Sequence, residues 1–257
     1  QKYAVWARNE LIEQIKQRAY QYGISEKSYG EENASVIAGR ALSLEEMRQR
    51  KAFVALIKEH GYQQAVEEVA YTWFNRFIAL RFMEVNDYLP THIRVLSDAN
   101  GDFNPEILKE VLHLDLAGLD KTKVSALLNA NQTEELYRYL LLTQCNALND
   151  ALPDMFETLG SYTEMLLPNN ILKSESVLGR LVRDIPENDF RDAVQIIGWL
   201  YQYYNTEPKQ AVFDGLKKNV KISKDKIPAA TQLFTPDWIV RYMVENSLGR
   251  LWLESHP

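Results

Sequence analysis

The chain has 257 residues, of which 46% are hydrophobic and 25% are charged, values typical of a soluble globular protein with a sizeable core. Thirty-five acidic and 29 basic residues give a formal net charge of −6, which argues against a chain whose main role is to clamp nucleic acid. The one cysteine, Cys145, excludes an internal disulfide and is typical of a reducing compartment.

The start of the chain, QKYAVWARNE, has neither an initiator Met nor the apolar core of a signal peptide. No uncharged apolar run approaches the roughly 18 residues that a membrane span requires. We therefore expect a trimmed piece of a cytoplasmic protein that contacts no membrane.

Helices dominate the predicted secondary structure, because the eleven glycines lie at least seven positions apart. The first helix is expected to run through WARNELIEQIKQRAY and to end near Gly23, before a polar loop that extends to about Gly39. Ser43 and Glu46 have the spacing of a capping box, which predicts a second helix that ends at Gly61.

The segment EEVAYTWFNRFIALRFMEVNDYL is the most hydrophobic predicted helix. Its apolar residues form two adjacent stripes, which predicts a core helix that is buried on more than one side. The stripes are Val69, Trp73, Phe77 and Leu80, and Ala70, Phe74, Ile78 and Val85.

Asn131, followed three positions later by Glu134, predicts the start of a further helix that continues to Pro153. Its buried face is expected to comprise Tyr137, Leu141, Cys145, Leu148 and Leu152. On this face Cys145 is interpreted as a buried structural thiol rather than a nucleophile.

Two more helices are predicted before residue 205. A short one is indicated by Val177, Leu178, Leu181 and Val182. The next, PENDFRDAVQIIGWLYQYY, is expected to begin at Pro186 and to be aromatic and part of the core.

Five lysines follow within ten residues, opposed only by Asp225: Lys217, Lys218, Lys221, Lys224 and Lys226. A solvated loop or helix end would explain them, and so would an edge that contacts DNA phosphates. Both interpretations stay open.

The last predicted helix lies in ATQLFTPDWIVRYMVENSLGR, where Thr235 is expected to cap the helix and Pro236 to occupy its first position. Its apolar residues recur at helical spacing, so the helix needs a surface to pack against. These residues are Val240, Met243, Val244, Leu248 and Leu251, with Ser247 on the same face.

No catalytic or metal-binding pattern is present in the sequence. The four histidines lie far apart, which argues against a zinc site, and the glycine spacing excludes both G-x-G-x-x-G and the P-loop. Consecutive acidic pairs such as Glu67 and Glu68 point away from each other on a helix and are interpreted as solvated.

Three stretches, in order along the chain, resemble the N-terminal part of the PglX-type adenine-specific DNA methyltransferases of BREX phage-defence systems. They are AYTWFNRFIALRFME (70–84), DIPENDFRDAVQIIGWLYQYY (184–204) and IPAATQLFTPDWIVRYMVENSLGR (227–250). The third contains a Phe-Thr-Pro signature that precedes the methyl-donor site in many DNA adenine-N6 methyltransferases.

The resemblance implies that Phe234, Thr235 and Pro236 border the pocket for S-adenosylmethionine (AdoMet), with the Thr hydroxyl and the backbone holding its methionine end. The glycine spacing and the helical periodicity predict a mostly α fold, with an irregular multi-helix domain over residues 1–226. The resemblance implies that residues 227–257 are the lead-in segment of a Rossmann-like methyltransferase domain that the chain lacks. The implied partners are double-stranded DNA, the chain's own C-terminal catalytic domain and other defence-system proteins, with no metal.

The sequence also departs from the methyltransferase pattern. It lacks both the glycine-rich turn and the [NDS]-P-P-[YF] tetrapeptide, since none of its nine prolines are adjacent. We therefore expect the chain alone to be inactive and to bind AdoMet weakly or not at all. A helical interaction module without a cofactor role is the alternative. The apolar face of the last helix is expected to be exposed, self-paired or folded back.

Overall fold

The computed structural model describes residues 1–153, 155–156, 161–191 and 193–256. Regular structure in these residues is almost entirely helical, which confirms the mostly α fold class. The described part of the chain contains one small sheet, in which β1 (Val36–Ile37) pairs with β2 (Arg40–Ala41) in antiparallel register, Val36 opposite Ala41.

The chain divides into two compact units, Trp6–Arg191 and a smaller unit that joins Gln1–Val5 with Asp192–Pro257. The domain division expected after residue 226 stays a prediction. The helices up to residue 191 are α1 (Lys2–Gln21), α2 (Leu44–His60), α3 (Tyr62–Val85), α4 (Glu106–Lys109), α5 (Lys121–Asn129), α6 (Thr133–Ala147), α7 (Tyr162–Met165) and α8 (Val177–Asp184). The later helices are α9 (Gln195–Tyr204), α10 (Thr206–Lys217), α11 (Ile227–Thr231), α12 (Asp237–Val244) and α13 (Arg250–Ser255).

The capping box at the start of α2 is confirmed in both halves. The Ser43 hydroxyl accepts a hydrogen bond from the backbone N–H of Glu46 at 3.1 Å, and the Glu46 carboxylate accepts one from the N–H of Ser43 at 2.8 Å. At the other end, Gly61 stops the helix with φ 86°, a conformation that glycine adopts without strain.

The core of the larger unit is built around α3, where every residue of both predicted stripes is buried. α3 packs against α2 and α7. The Trp73 indole N–H, fully buried, donates to the backbone carbonyl of Thr163 at 2.9 Å. The indole is therefore buried without leaving its N–H group short of a hydrogen-bond acceptor.

A buried guanidinium fastens the loop between α1 and β1. Arg50 on α2 is fully buried and donates to the carbonyls of Tyr22 (2.9 Å), Glu31 (2.8 Å), Glu32 (3.0 Å) and Tyr29. These bonds give the loop's carbonyls partners that it could not provide through regular structure. No pattern in the sequence indicates this role.

The predicted start of α6 is wrong by two residues. Asn131 adopts φ 53° in the turn after α5, a helix that was not predicted, and α6 begins at Thr133 without a side-chain cap. Asn enters this left-handed region more easily than other non-glycine residues, which explains its position. The Glu134 carboxylate instead accepts the backbone N–H of Ile171 at 2.6 Å.

The predicted end of α6 is also corrected. The helix ends at Ala147, so Leu148 is still buried whereas Leu152 is exposed. The interpretation of Cys145 as a buried thiol is confirmed, since its side chain is 3% exposed and burial raises the pKa of the thiol to about 12.

The helix predicted from Pro186 begins nine residues later, at Gln195. Pro186 directly precedes a 3-10 turn, Glu187–Asp189, and the Glu187 carboxylate accepts a hydrogen bond from Arg94 at 2.8 Å. The core character predicted for this segment holds in part: Phe190, Leu200 and Tyr204 are buried, whereas the other apolar residues of α9 are half-buried.

Candidate functional site

The Phe-Thr-Pro turn, residues 234–236, lies directly before α12 in a stretch without regular secondary structure. Within the smaller unit this turn contacts α9. The contacting residues of α9 are Gln195, Gly198, Trp199 and Gln202, with Tyr201 at the side of this face. Their spacing of three, four and seven positions places the first four on one face of the helix.

The Phe234 ring is seated on the backbone of Gly198. A Cβ atom added to Gly198 would overlap Cδ2 and Cε2 of the ring, closer than real carbon atoms approach. The edge-to-face contact with Trp199, at 5.2 Å between centroids and 71° between planes, fixes the ring on a second side. Phe234 is half-buried, with the remaining surface open.

Two amide side chains of α9 accept hydrogen bonds from backbone N–H groups at the first residue of the turn and at the residue that follows it. The Gln202 carbonyl oxygen accepts the N–H of Phe234 at 2.9 Å, and that of Gln195 accepts the N–H of Asp237 in a long bond of 3.5 Å. Upstream, the Gln232 amide donates to the Tyr201 hydroxyl. The turn is therefore held through its backbone, whatever side chain stands at position 235.

The capping role predicted for Thr235 is wrong, and so is the first helical position predicted for Pro236. α12 begins at Asp237, Pro236 is its N-cap residue with φ −57° and ψ 145°, and no side chain caps the helix. Because the helix begins one residue later than expected, Thr235 lies outside its first turn, where it is exposed.

A long helix follows the turn. α12 continues through the π-helical residues Glu245–Gly249 into α13, and we call this whole stretch, residues 237–255, the C-terminal helix. In this single chain most of the apolar side chains of the C-terminal helix are exposed. Its exposed large apolar side chains are Trp238, Val240, Tyr242, Met243, Val244, Leu248, Leu251, Trp252 and Leu253.

The lysine cluster lies on an exposed connection between α10 and α11. Lys217 ends α10 and pairs with Asp214 at 3.1 Å, whereas Lys224 and Lys226 belong to a 3-10 turn. All five lysines, including Lys218 and Lys221, are exposed. The structure places them on the surface and leaves both interpretations of the cluster open.

Neither a metal centre nor a membrane span is present in the described residues. Within these ranges, no group of three or more His, Cys, Asp or Glu residues is arranged to hold a metal ion. In the part of the chain that the structure covers, no helix combines the length and the apolar character needed to cross a bilayer.

The residues that hold the turn were not predicted from the sequence. The aromatic pattern of α9 predicts a core helix and assigns no separate role to Gln195, Gly198 and Gln202. A glycine inside a helix costs about 1 kcal/mol relative to alanine, so Gly198 within QIIGWLYQYY is a local signal of a close approach.

Comparisons with known proteins give two relatives. The chain is 40% identical over 270 residues to the adenine-specific methyltransferase BrxX of Escherichia coli O9:H4 (strain HS). It is 42% identical over 279 residues to the adenine-specific methyltransferase PglX of Lacticaseibacillus casei (strain Zhang). These alignments cover 100% and 98% of this chain but only 22% and 23% of the relatives.

No family model matches the chain. The similarity to both relatives extends over nearly the whole chain and confirms the resemblance to PglX-type proteins that three motifs predicted. The chain spans slightly more than a fifth of the length of these relatives.

Proposed function

We propose that this chain is the helical part of an AdoMet-dependent, site-specific DNA adenine-N6 methyltransferase that acts in phage defence, and that it borders the cofactor pocket. The observation that carries the proposal is 40–42% identity, over nearly the whole chain, to two adenine-specific methyltransferases. The alternative, an interaction module without a cofactor role, gains no support from these similarities. We call the longer protein that contains this chain the parent enzyme.

The residues at the Phe-Thr-Pro turn fit the methionine end of AdoMet. Thr235 is exposed and does not cap α12, so its hydroxyl can donate to and accept from a ligand. The N-terminus of α12 carries partial positive charge, which suits a carboxylate. Phe234 offers the open side of its ring as an apolar wall. Pro236 restricts the backbone between Thr235 and the N-terminus of α12.

When bound, AdoMet supplies the methyl group that is transferred to N6 of a target adenine flipped out of the duplex. This chain contributes one wall of the pocket, and the groups that contact the adenine lie in the remainder of the parent enzyme. A single wall rarely binds a ligand well. We therefore expect the chain alone to bind AdoMet weakly and to transfer no labelled methyl group to DNA.

The exposed face of the C-terminal helix supports docking to a catalytic domain in the parent enzyme. Trp238, Met243 and Leu253, at 70%, 62% and 70% exposure, mark an apolar surface of the kind that is normally covered by a partner. The relatives are more than four times as long as the region that aligns, so the parent enzyme has ample sequence to cover this helix.

The proposed DNA contact is the lysine cluster. Lys217, Lys218, Lys221, Lys224 and Lys226 are exposed, and an ammonium group on a long, flexible stem is well suited to phosphates. A cytoplasmic location follows from the proposed DNA substrate.

The cofactor proposal is tested by Phe234→Ala and Thr235→Ala in the parent enzyme, with AdoMet affinity measured by calorimetry. We expect the Kd to rise about tenfold or more for Phe234→Ala, and about three- to tenfold for Thr235→Ala, the range for one missing hydrogen bond. Phe213→Ala and Thr231→Ala, on α10 and α11, are matched controls that should leave the Kd unchanged. Unchanged affinity in the first two variants would instead support the interaction module.

A further inference from the structure

We propose that α9 is the positioning element of the cofactor turn, with Gly198 as the seat of the Phe234 ring and Gln202 as the anchor of its backbone. This inference rests on the proposed function, because it assigns a role to residues that do not contact AdoMet themselves. Gly198 and Gln202 would act on the cofactor through the placement of Phe234 and Thr235.

The turn needs an external support. Residues 232–236 form no helix or strand, and Thr235 makes no cap to α12. Local secondary structure therefore does not fix the position of the Thr235 hydroxyl. Ligand-binding groups must be held within about 0.5 Å of their productive geometry, so a support on a rigid element is required.

Gly198 provides the steric part of this support. The ring lies where any side chain at position 198 would be, because an added Cβ would overlap Cδ2 and Cε2 and lie 2.6 Å from Cγ of Phe234. Alanine at this position forces the ring away from α9. The backbone of residue 234 moves with the ring, and Thr235 moves with the backbone.

Gln202 provides the polar part. Its amide oxygen accepts the N–H of Phe234 at 2.9 Å, and Gln195, seven positions earlier on the same face, accepts the N–H of Asp237 at 3.5 Å. The turn is thus bound at both ends by one helix face. Trp199, on the same helix face, contacts the Phe234 ring edge-to-face.

The first test is Gly198→Ala in the parent enzyme, with Gly215→Ala on α10 as the control. An added Cβ on Gly215 meets only Val220, at an ordinary 3.7 Å. We expect Gly198→Ala to raise the KM and Kd for AdoMet about tenfold, because the displaced turn no longer holds Phe234 and Thr235 in their binding positions. The KM for DNA should change by less than about twofold, and Gly215→Ala should change neither constant.

This pattern separates positioning from damage to the fold. Partial misfolding removes active molecules, which lowers the apparent kcat and leaves both KM values unchanged. A Gly198→Ala enzyme with reduced kcat and an unaltered KM for AdoMet would overturn the inference.

The second test places Gly198→Ala in a Phe234→Ala background. If the added methyl group acts by displacing the ring, it has nothing to displace once the ring is removed. We therefore expect the double variant to bind AdoMet within about twofold of Phe234→Ala alone. Full additivity of the two effects would show that Gly198 acts by another route.

The third test removes the anchor without adding bulk. Gln202→Met should raise the Kd for AdoMet about three- to tenfold, the range for one missing hydrogen bond, whereas Gln202→Glu keeps an acceptor and should restore most of the affinity. Gln210→Met, on the exposed part of α10, is the control. If Phe234→Ala weakens binding but Gly198→Ala and Gln202→Met do not, the positioning role fails and the proposed function stands. If Phe234→Ala and Thr235→Ala have no effect either, the proposed function fails.

Discussion

The two compact units differ in what holds them together. In Trp6–Arg191, apolar side chains from most of the helices form a buried core, and buried arginines bind the backbone of the irregular segments. Among the described residues of Asp192–Pro257, the buried apolar side chains are those of Leu200, Tyr204 and Val212. The larger unit has a core of its own. In the smaller unit, Tyr3 and Ala4 are also buried, and most of the other described apolar side chains are half-buried or exposed.

This difference indicates a division of roles. Residues that belong to a core stabilise the fold, and a large apolar surface that stays exposed marks a site of interaction. The residues proposed to border the cofactor pocket all lie in the smaller unit, next to the exposed C-terminal helix. Substitutions in the core of the larger unit should therefore change stability, and those at the Phe-Thr-Pro turn and the C-terminal helix of the smaller unit should change binding.

The largest contrast is expected between two tryptophans. Trp73 is fully buried and Trp238 is 70% exposed. Trp73→Ala should lower the free energy of unfolding by about 3–5 kcal/mol, because it leaves a cavity in the core, whereas Trp238→Ala should change it by less than about 0.5 kcal/mol. Denaturant unfolding monitored by circular dichroism measures both values. Similar losses in the two variants would remove the distinction between the units.

Two arginines give the next contrast. Arg50→Met leaves four backbone carbonyls of the loop without their buried donor. It should lower the free energy of unfolding by about 2–4 kcal/mol. Arg241→Met removes only an exposed ion pair with Glu245 within the C-terminal helix, and such pairs are worth about 0.5 kcal/mol or less. The same unfolding experiment measures the difference, and a negligible effect at position 50 would show that the loop is held by other interactions.

The features of the fold that could be predicted from the sequence are those whose residues all lie within one helix. The capping box of Ser43 and Glu46 and the two stripes of α3 are complete within one helix, and both predictions are confirmed. The positions predicted for Asn131, Pro186 and Thr235 are wrong, because each residue type suits both a helix start and a turn, and the local sequence does not decide between them.

The support of the Phe-Thr-Pro turn could not be predicted from spacing. Gln202 and Phe234 are 32 positions apart, and nothing in either segment specifies that they meet. The motif identified which residues were of interest, and the structure identified what holds them. Gly198 is the one local indication of this contact, since a glycine in the middle of a helix destabilises it and is expected only where a side chain would not fit.

A smaller effect on stability is expected to depend on pH. Hydrogen bonds from Arg94 hold the pKa of Glu187 below its usual value, helped by the positive charges of Arg81 and Arg191. A lowered folded-state pKa means that this carboxylate stabilises the fold above the unfolded pKa of about 4.3, and that the stabilisation is lost as the pH falls through the folded value. Glu187→Gln should lower the free energy of unfolding by about 1 kcal/mol at about pH 7 and by much less near pH 3, as measured by denaturant unfolding at each pH.

The pH dependence of Glu187→Gln has an internal control in Arg94→Met, which removes the main partner of the carboxylate. In the Arg94→Met background, Glu187→Gln should lower the free energy of unfolding by less, and this loss should depend less on pH. A cost that stays constant over the whole acidic range would show that the Glu187 charge does not stabilise the larger unit.

The smallest effect on stability, and the clearest on binding, is expected at the lysine cluster. Lys218→Gln with Lys221→Gln should leave the free energy of unfolding within about 0.5 kcal/mol, because both side chains are exposed. In the parent enzyme, the slope of log affinity for duplex DNA against log salt should fall by about 0.9 for each phosphate that the protein no longer neutralises. The paired control, Lys51→Gln with Lys121→Gln in the larger unit, makes the same change in net charge. Equal decreases of DNA affinity in both pairs would mean that net charge alone matters, and a decrease confined to the first pair would assign DNA binding to the smaller unit.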